Sequence, residues 1–482
     1  MDQPVSPPSA TQARKRSRSG RGRKAAPQVQ SGDQRGRIGA GALNAVRSLY
    51  SISTLLTAAR IAGALAGFAT QVLLARALQA SALGIFYSVT SLAAVVGLIV
   101  AHGYPAVAPR FISRYREQVK ENMVAAFVAR ARRDVTVYAA IATLGVLAVA
   151  LLWPSLATEA KWALVAAALS IPASASFRLN GYLAAAIRRF ALAYLPDTCI
   201  RPFLLLGGIF MLTALGVTLT ASSVTWLLTL IFTGLALTQY ALLRKDLPKT
   251  APASSAPTRL VKLWRREAKP LILVALFTNF FADVDILMIT PLLPSADTAA
   301  IGLCLKLALL VGFAVQVAHQ VVVPDLADAR ARKDQGAIRE ALRKTLVFPA
   351  LITLAALGGV GLFGETLLAI FGPEFTDAKV PLLILMACQL ARALFGPSVS
   401  LLTVIGAQWH NAALAVASLV VLAIGNVVLT PLYGVLGAAI AVAVATVFWL
   451  VACAIVLGRL SGLRTDVLYL IGKLGSPRSA PA

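Results

Sequence analysis

Charge is what this sequence is short of. Only 13% of its 482 residues are Asp, Glu, Lys or Arg, about half the share of an ordinary soluble domain. Too few charges are present to clothe a large water-facing surface. Acid is scarcer than base: 20 Asp and Glu stand against 45 Lys and Arg, a formal net charge of +25. Cysteine is nearly absent. Cys199, Cys304, Cys388 and Cys453 lie apart from one another in apolar stretches, with no CxxC and no Cys/His cluster. That excludes a disulfide framework and a zinc site, and three scattered histidines supply no metal site either. There is no GxxxxGK[ST] phosphate loop, no Gly-rich dinucleotide loop after a strand and no HExxH, so the familiar routes to nucleotide and zinc-hydrolase chemistry are closed. The chain reads as a non-enzyme that needs no cofactor. Alternating ten-residue strands, the mark of a membrane β-barrel, are missing too.

What fills the space is hydrocarbon. Hydrophobic residues make up 58% of the chain, and apolar runs recur from about residue 49 to about 458. Each is long enough to cross roughly 30 Å of lipid as a helix. The expected spans are about 49–75, 82–104, 135–153, 161–184, 191–215, 220–243, 271–293, 299–323, 346–371, 379–404, 411–431 and 435–458. The class is an all-α polytopic membrane protein with about twelve transmembrane helices. Basic residues test the count, because cytoplasmic loops carry the Lys and Arg excess. With the N-terminus inside, 37 of the 45 cations fall in cytoplasmic segments, three outside (Arg76, Lys161, Lys379) and five within spans. Both termini are therefore expected in the cytoplasm. The net charge reflects topology, so no nucleic-acid partner is inferred.

The expected layout has five parts. Residues 1–47, with "ARKRSRSGRGRK", form a basic disordered cytoplasmic tail that has no short apolar core and so is not a signal peptide. Residues 48–243 form a six-helix lobe. Residues 244–270 are a basic linker rich in Pro, Ala and Ser. Residues 271–458 form a second six-helix lobe, and 459–482 a cytoplasmic tail. The 2–3 loop and the 8–9 loop read as amphipathic helices: each mixes apolar and basic residues at helical spacing, which suits contact with membrane lipids at the cytoplasmic surface. The halves echo each other weakly. In "LGIFYSVTSLAAVVGLIVAHGYPAVAPRF" and "IGLCLKLALLVGFAVQVAHQVVVPDLADAR", Gly84 pairs with Gly302, His102 with His319 and Pro109 with Pro324. Two parallel six-span repeats leave a cleft between bundles, the layout of a rocking transporter.

Eight ionisable residues sit inside the apolar runs: Arg60, Arg178, Arg201, Lys306 and Arg392, with Asp197, Asp283 and Asp285. Each costs about 2.5–3.5 kcal/mol at a helix centre, so eight facing lipid would cost on the order of 20–28 kcal/mol. They are expected to face protein or a watery cavity to which both halves contribute. Asp197 and Arg201, at i,i+4, can pair on one face. Asp283 and Asp285 point about 200° apart, so one of them is expected to face the cavity. Positive charge dominates the set, and arginine forks suit phosphate or carboxylate. The five cations are the candidate substrate-binding groups. The three acids are candidates for charge balance or for coupling to H+ or Na+.

Several strings also resemble a known family. "LLAR-LG-x-x-x-FG-x-Y" is approached at Leu73–Arg76, Leu78, Gly84 and Tyr87, with Gln79 where glycine is usual. "ADVDILMI" places Asp285 at a common span-7 acid. "LFGETLLAIFGPEFTDAKVPLLIL" and "GNVVLTPLYGVLGAAIAVAVA" follow in order, the latter with Asn426, Leu429, Pro431, Gly434, Gly437, Ala438 and Ala439. Together they resemble the polysaccharide-transporter (Wzx-type) branch of the MOP flippase superfamily. The resemblance implies a MATE-like fold of two six-helix lobes. It also implies a lipid-linked oligosaccharide substrate carried across a bacterial inner membrane, with a polysaccharide polymerase and co-polymerase as candidate partners. The rival readings are a multidrug exporter of the same superfamily, a peptidoglycan lipid II flippase, and a non-transporting scaffold for polymer assembly.

Overall fold

The computed structural model describes residues 56–248, 257–332, 334–462, 465 and 467, all within one compact unit, Leu55–Ala482. The tail expected at 1–47, the middle of the linker and most of the C-terminal tail lie outside the described residues.

Among the described residues the secondary structure is helical. The first half holds α1 (Leu56–Ala77), α2 (Ala80–Val100), α3 (Tyr104–Glu117), α4 (Glu121–Leu152), α5 (Thr158–Ala186), α6 (Phe190–Ala214) and α7 (Ala221–Leu243). The second half holds α8 (Thr258–Asn279), α9 (Phe281–Ile289), α10 (Ser295–Ala331), α11 (Gln335–Ala369), α12 (Lys379–Phe395), α13 (Ser398–Val404) and α14 (Gln408–Ser461). Two of these are compound. α8 and α9 are bent by 75° at Phe280 and together make one broken span. α14 has 54 residues, which as one rod would be about 80 Å long. It is instead two helices, because Gly434 takes φ 57° and ψ −133°, a left-sided backbone that glycine enters without a Cβ clash. The described chain then holds twelve candidate membrane segments, in agreement with the apolar runs.

The long helices leave Leu144, Leu152, Leu230, Leu362, Phe363 and Leu432 exposed. That pattern fits lipid, where helices satisfy their own backbone and turn apolar side chains outward. Inside, α5 packs on α4, α7 and α2 through small buried residues such as Ala163, Ala167 and Ala175, which let backbones approach closely.

The halves meet where α2 crosses α10. The two glycines that the repeat aligns lie at this crossing: Gly84 faces the Ser295 carbonyl, and Gly302 faces the Tyr87 ring. Neither position has room for a Cβ without a shift. The aligned histidines behave differently. His102 takes φ 51° at the break between α2 and α3, whereas His319 lies inside the unbroken α10.

One region departs from the expected layout. The basic end of the linker is not a loop but the first turns of α8, where Val261, Trp264 and Ala268 are buried at helical spacing and Arg259, Lys262, Arg266 and Lys269 are exposed. The 2–3 loop is helical, as its spacing implied: it is α3 followed by the start of α4. These segments pack together at the basic end of the bundle. Trp264 donates to the Tyr115 hydroxyl at 2.9 Å and meets Phe127 edge-on. Asp134 accepts from the Tyr104 hydroxyl at 2.6 Å and pairs with Arg265 at 2.7 Å and Arg130 at 3.0 Å. At the opposite end, Arg76 reaches the C-terminus of α11, donating to the carbonyls of Ile370 (2.7 Å) and Ala369 (2.9 Å). Those carbonyls have no helical partner of their own.

Candidate functional site

A large cavity among the described residues is lined from both halves. Its volume is about 830 Å³. α1 contributes Arg60 and Gln71, α5 contributes Arg178 and Tyr182, and α6 contributes Tyr194, Asp197 and Arg201. The second half supplies Asn279, Phe280 and Asp283 at the α8–α9 bend and Lys306 and Gln316 on α10. Six of the eight charged residues singled out in the sequence thus line one cavity, four cations against two carboxylates.

Local structure explains these positions. Pro196 has no N–H and cannot continue the regular ladder, and Pro196–Ile200 forms a single π-turn within α6. Such a turn re-aims the residues around it, and Tyr194, Asp197, Thr198 and Arg201 all reach the cavity. Asp197 and Arg201 pair at 2.9 Å, as their i,i+4 spacing allows. The 75° bend between α8 and α9 brings Asn279, Phe280 and Asp283 to the same wall. There Asp283 accepts from Ser91 of α2 at 2.9 Å.

Each cavity cation lies over an aromatic ring. Arg60 sits 5.5 Å from the centroid of Tyr194, Arg178 4.5 Å from Phe280, Arg201 5.6 Å from Phe232 and Lys306 4.8 Å from Tyr87. The ring face attracts the cation and fixes it without occupying the N–H donors at its edge. Among the described residues only Arg201 of the four is ion-paired. Tyr87 is itself held by a 2.6 Å hydrogen bond to Gln71. These aromatic partners escaped the sequence reading, since a Phe or Tyr in an apolar run looks like core. A polar signal was present in Gln71, Tyr182, Gln239, Asn279 and Gln316, all uncharged polar groups inside spans that line the cavity.

Two expected site residues lie elsewhere. Asp285 is fully buried behind the cavity wall, where its Oδ1 accepts from Asn426 of α14 at 2.7 Å. The two-residue offset turns it away from Asp283. Arg392 lines a separate chamber of about 240 Å³, with His319, Ser400, Thr403 and Trp449. No residue of α12 lines the large cavity, although Asn279 and Gln316 border both spaces. Among the described residues no group of three or more His, Cys, Asp or Glu is placed to hold a metal ion.

No protein-family model matches the sequence, and no curated protein matches it. Solved structures do. The lipid II flippase MurJ in its inward closed conformation superposes with a TM-score of 0.67 at 13% identity, over 84% of this chain and 87% of that one. An inward-facing multidrug resistance MATE transporter of the MOP superfamily gives 0.60 at 15% identity, over 83% and 99%. This chain shares the fold of these two structures. An outward-facing MATE transporter of that superfamily agrees less well, at a TM-score of 0.52 and 15% identity over 88% and 95%.

Proposed function

We propose that the chain is a flippase for a polyprenyl-pyrophosphate-linked oligosaccharide. In this reading the basic end faces the cytoplasm of a bacterial inner membrane, and the product feeds exopolysaccharide, capsule or O-antigen assembly. One observation carries it: a single 830 Å³ cavity walled by four ring-backed cations, three of them without an ion-pair partner among the described residues. Unpaired guanidinium groups in a low-dielectric wall are costly unless an anion joins them. A pyrophosphate supplies acceptor oxygens in the geometry that arginine forks favour. The sugars would occupy the space between Gln71, Tyr182, Gln239 and Gln316, while the lipid tail stays in the bilayer. Rocking of the lobes about the α2–α10 crossing would then expose the head group on the other side. Polymerase and co-polymerase remain the partners this role calls for. Asp283, opposite Lys306, is the acid placed to balance charge or to carry a coupling H+ or Na+.

The multidrug-exporter reading calls for a cavity dominated by acid, and this one has an excess of two positive charges. A scaffold needs no such space. Lipid II flipping shares the pyrophosphate chemistry, and the likeness to MurJ keeps it as the second reading. The test is flipping of a fluorescent prenyl-pyrophosphate disaccharide in proteoliposomes. Arg178→Ala and Arg60→Ala should each slow it by about tenfold or more, the loss expected for a charge-assisted hydrogen bond. Flipping at the unmodified rate by both stably inserted variants would remove the cavity from the mechanism. Export of a cationic dye in place of the lipid would select the drug exporter.

A further inference from the structure

The chamber around Arg392 plays no part in holding a pyrophosphate in the large cavity, yet it is built for a ligand. Its wall comes from α8, α10, α12, α13 and α14, with Val274, Val315 and Leu450 as apolar patches. Arg392 is its one permanently charged lining residue, and no carboxylate among the described residues lines it or pairs with it. Two further lining groups are unfulfilled: Trp449 Nε1 and His319 Nε2 are buried with no hydrogen-bond partner among the described residues. Buried polar groups without partners are rare, and a water, an ion or a ligand group commonly completes them. The set is donor-rich, so the ligand must bring acceptors and at least one negative charge. It must also bring C–H surface for the apolar patches, which a bare inorganic anion lacks. Asn279 and Gln316 border this chamber and the large cavity alike, so one extended ligand can occupy both.

We propose that the Arg392 chamber is a subsite for a carboxylate-bearing sugar, and hence that the transported glycan is acidic. The inference rests on the flippase reading for its substrate, but the chamber can be probed apart from transport. In detergent, methyl glucuronide should change the fluorescence of Trp449 and bind at least about tenfold more tightly than methyl glucoside, as loss of a charged hydrogen-bond partner implies. The response should vanish in Trp449→Phe and weaken by a similar factor in Arg392→Gln. Equal responses to the two sugars would overturn the proposal. So would saturation by chloride or acetate alone at the same concentration, which would assign the chamber to a small ion. In proteoliposomes, the ratio of flipping rates for prenyl-pyrophosphate disaccharides ending in glucuronic acid and in glucose should favour the acid, and Arg392→Gln should lower that ratio about tenfold. An unchanged ratio would also overturn it. If neither lipid is flipped while glucuronide binding persists, the flippase reading fails and the acidic-sugar subsite stands.

Discussion

A guanidinium can be immobilised in two ways, and the choice decides what it does next. A carboxylate partner satisfies its donors; an aromatic face leaves them free. Arg201 has both, with Asp197 at 2.9 Å on one side and Phe232 on the other. Removing the carboxylate should therefore sharpen the cavity for anions. The pair is partly exposed, so the gain is modest. Asp197→Asn is expected to tighten binding of inorganic pyrophosphate by about two- to fivefold, measured by calorimetry in detergent; weaker binding would show that Asp197 positions Arg201 rather than competing for it. At this scale the sequence was informative about charge and silent about its surroundings. Arg60, Arg178, Arg201 and Lys306 stood out because hydrocarbon punishes them. Phe280 and Phe232 did not, because nothing distinguishes a ring under a cation from a ring in a core. Arg392 was visible as a buried cation, but which chamber it enters depends on how α12 packs, and no spacing rule reports that.

Helices were legible where hydropathy is continuous and obscure where it is interrupted. The twelve segments followed from apolar length. The junction in α14 lay between the expected spans 411–431 and 435–458, and Gly434 marks it. The start of α8 was hidden because an amphipathic turn rich in Lys and Arg reads as linker until Trp264 finds its pocket. The pairing of α9 with α14 was equally invisible, as it joins Asp285 to a residue 141 positions away. That hydrogen bond yields a test. Asn426→Ala leaves a buried carboxylate without its partner and should cost about 1.5–3 kcal/mol. Replacing both groups, Asp285→Val with Asn426→Leu, removes the polar atoms together and should recover most of the thermal stability in detergent. A double variant no more stable than the single one would mean that the carboxylate is satisfied elsewhere.

For the whole molecule the described residues form a bundle tied at both ends. At the basic end, Asp134 gathers Tyr104, Arg130 and Arg265, joining α8 to the first half. At the other end Arg76 caps α11. On the Arg76 side of the molecule, α2 and α10 touch closely at Gly84 and Gly302. A rocking transporter must release one tie while keeping the other, so the two ties should act in opposite directions on the same equilibrium. Breaking a charged hydrogen bond that exists in one state only changes the population ratio by roughly tenfold. The measurement is labelling of Thr198→Cys, a cavity position, by a membrane-impermeant maleimide in vesicles of either orientation, with Cys199→Ser as background. Asp134→Ala should raise labelling from the basic side and lower it from the other. Arg76→Ala should do the reverse. Parallel increases on both sides would describe a leak rather than a pivot, and no change in either variant would mean that these ties hold in every state and that the lobes move along some other seam.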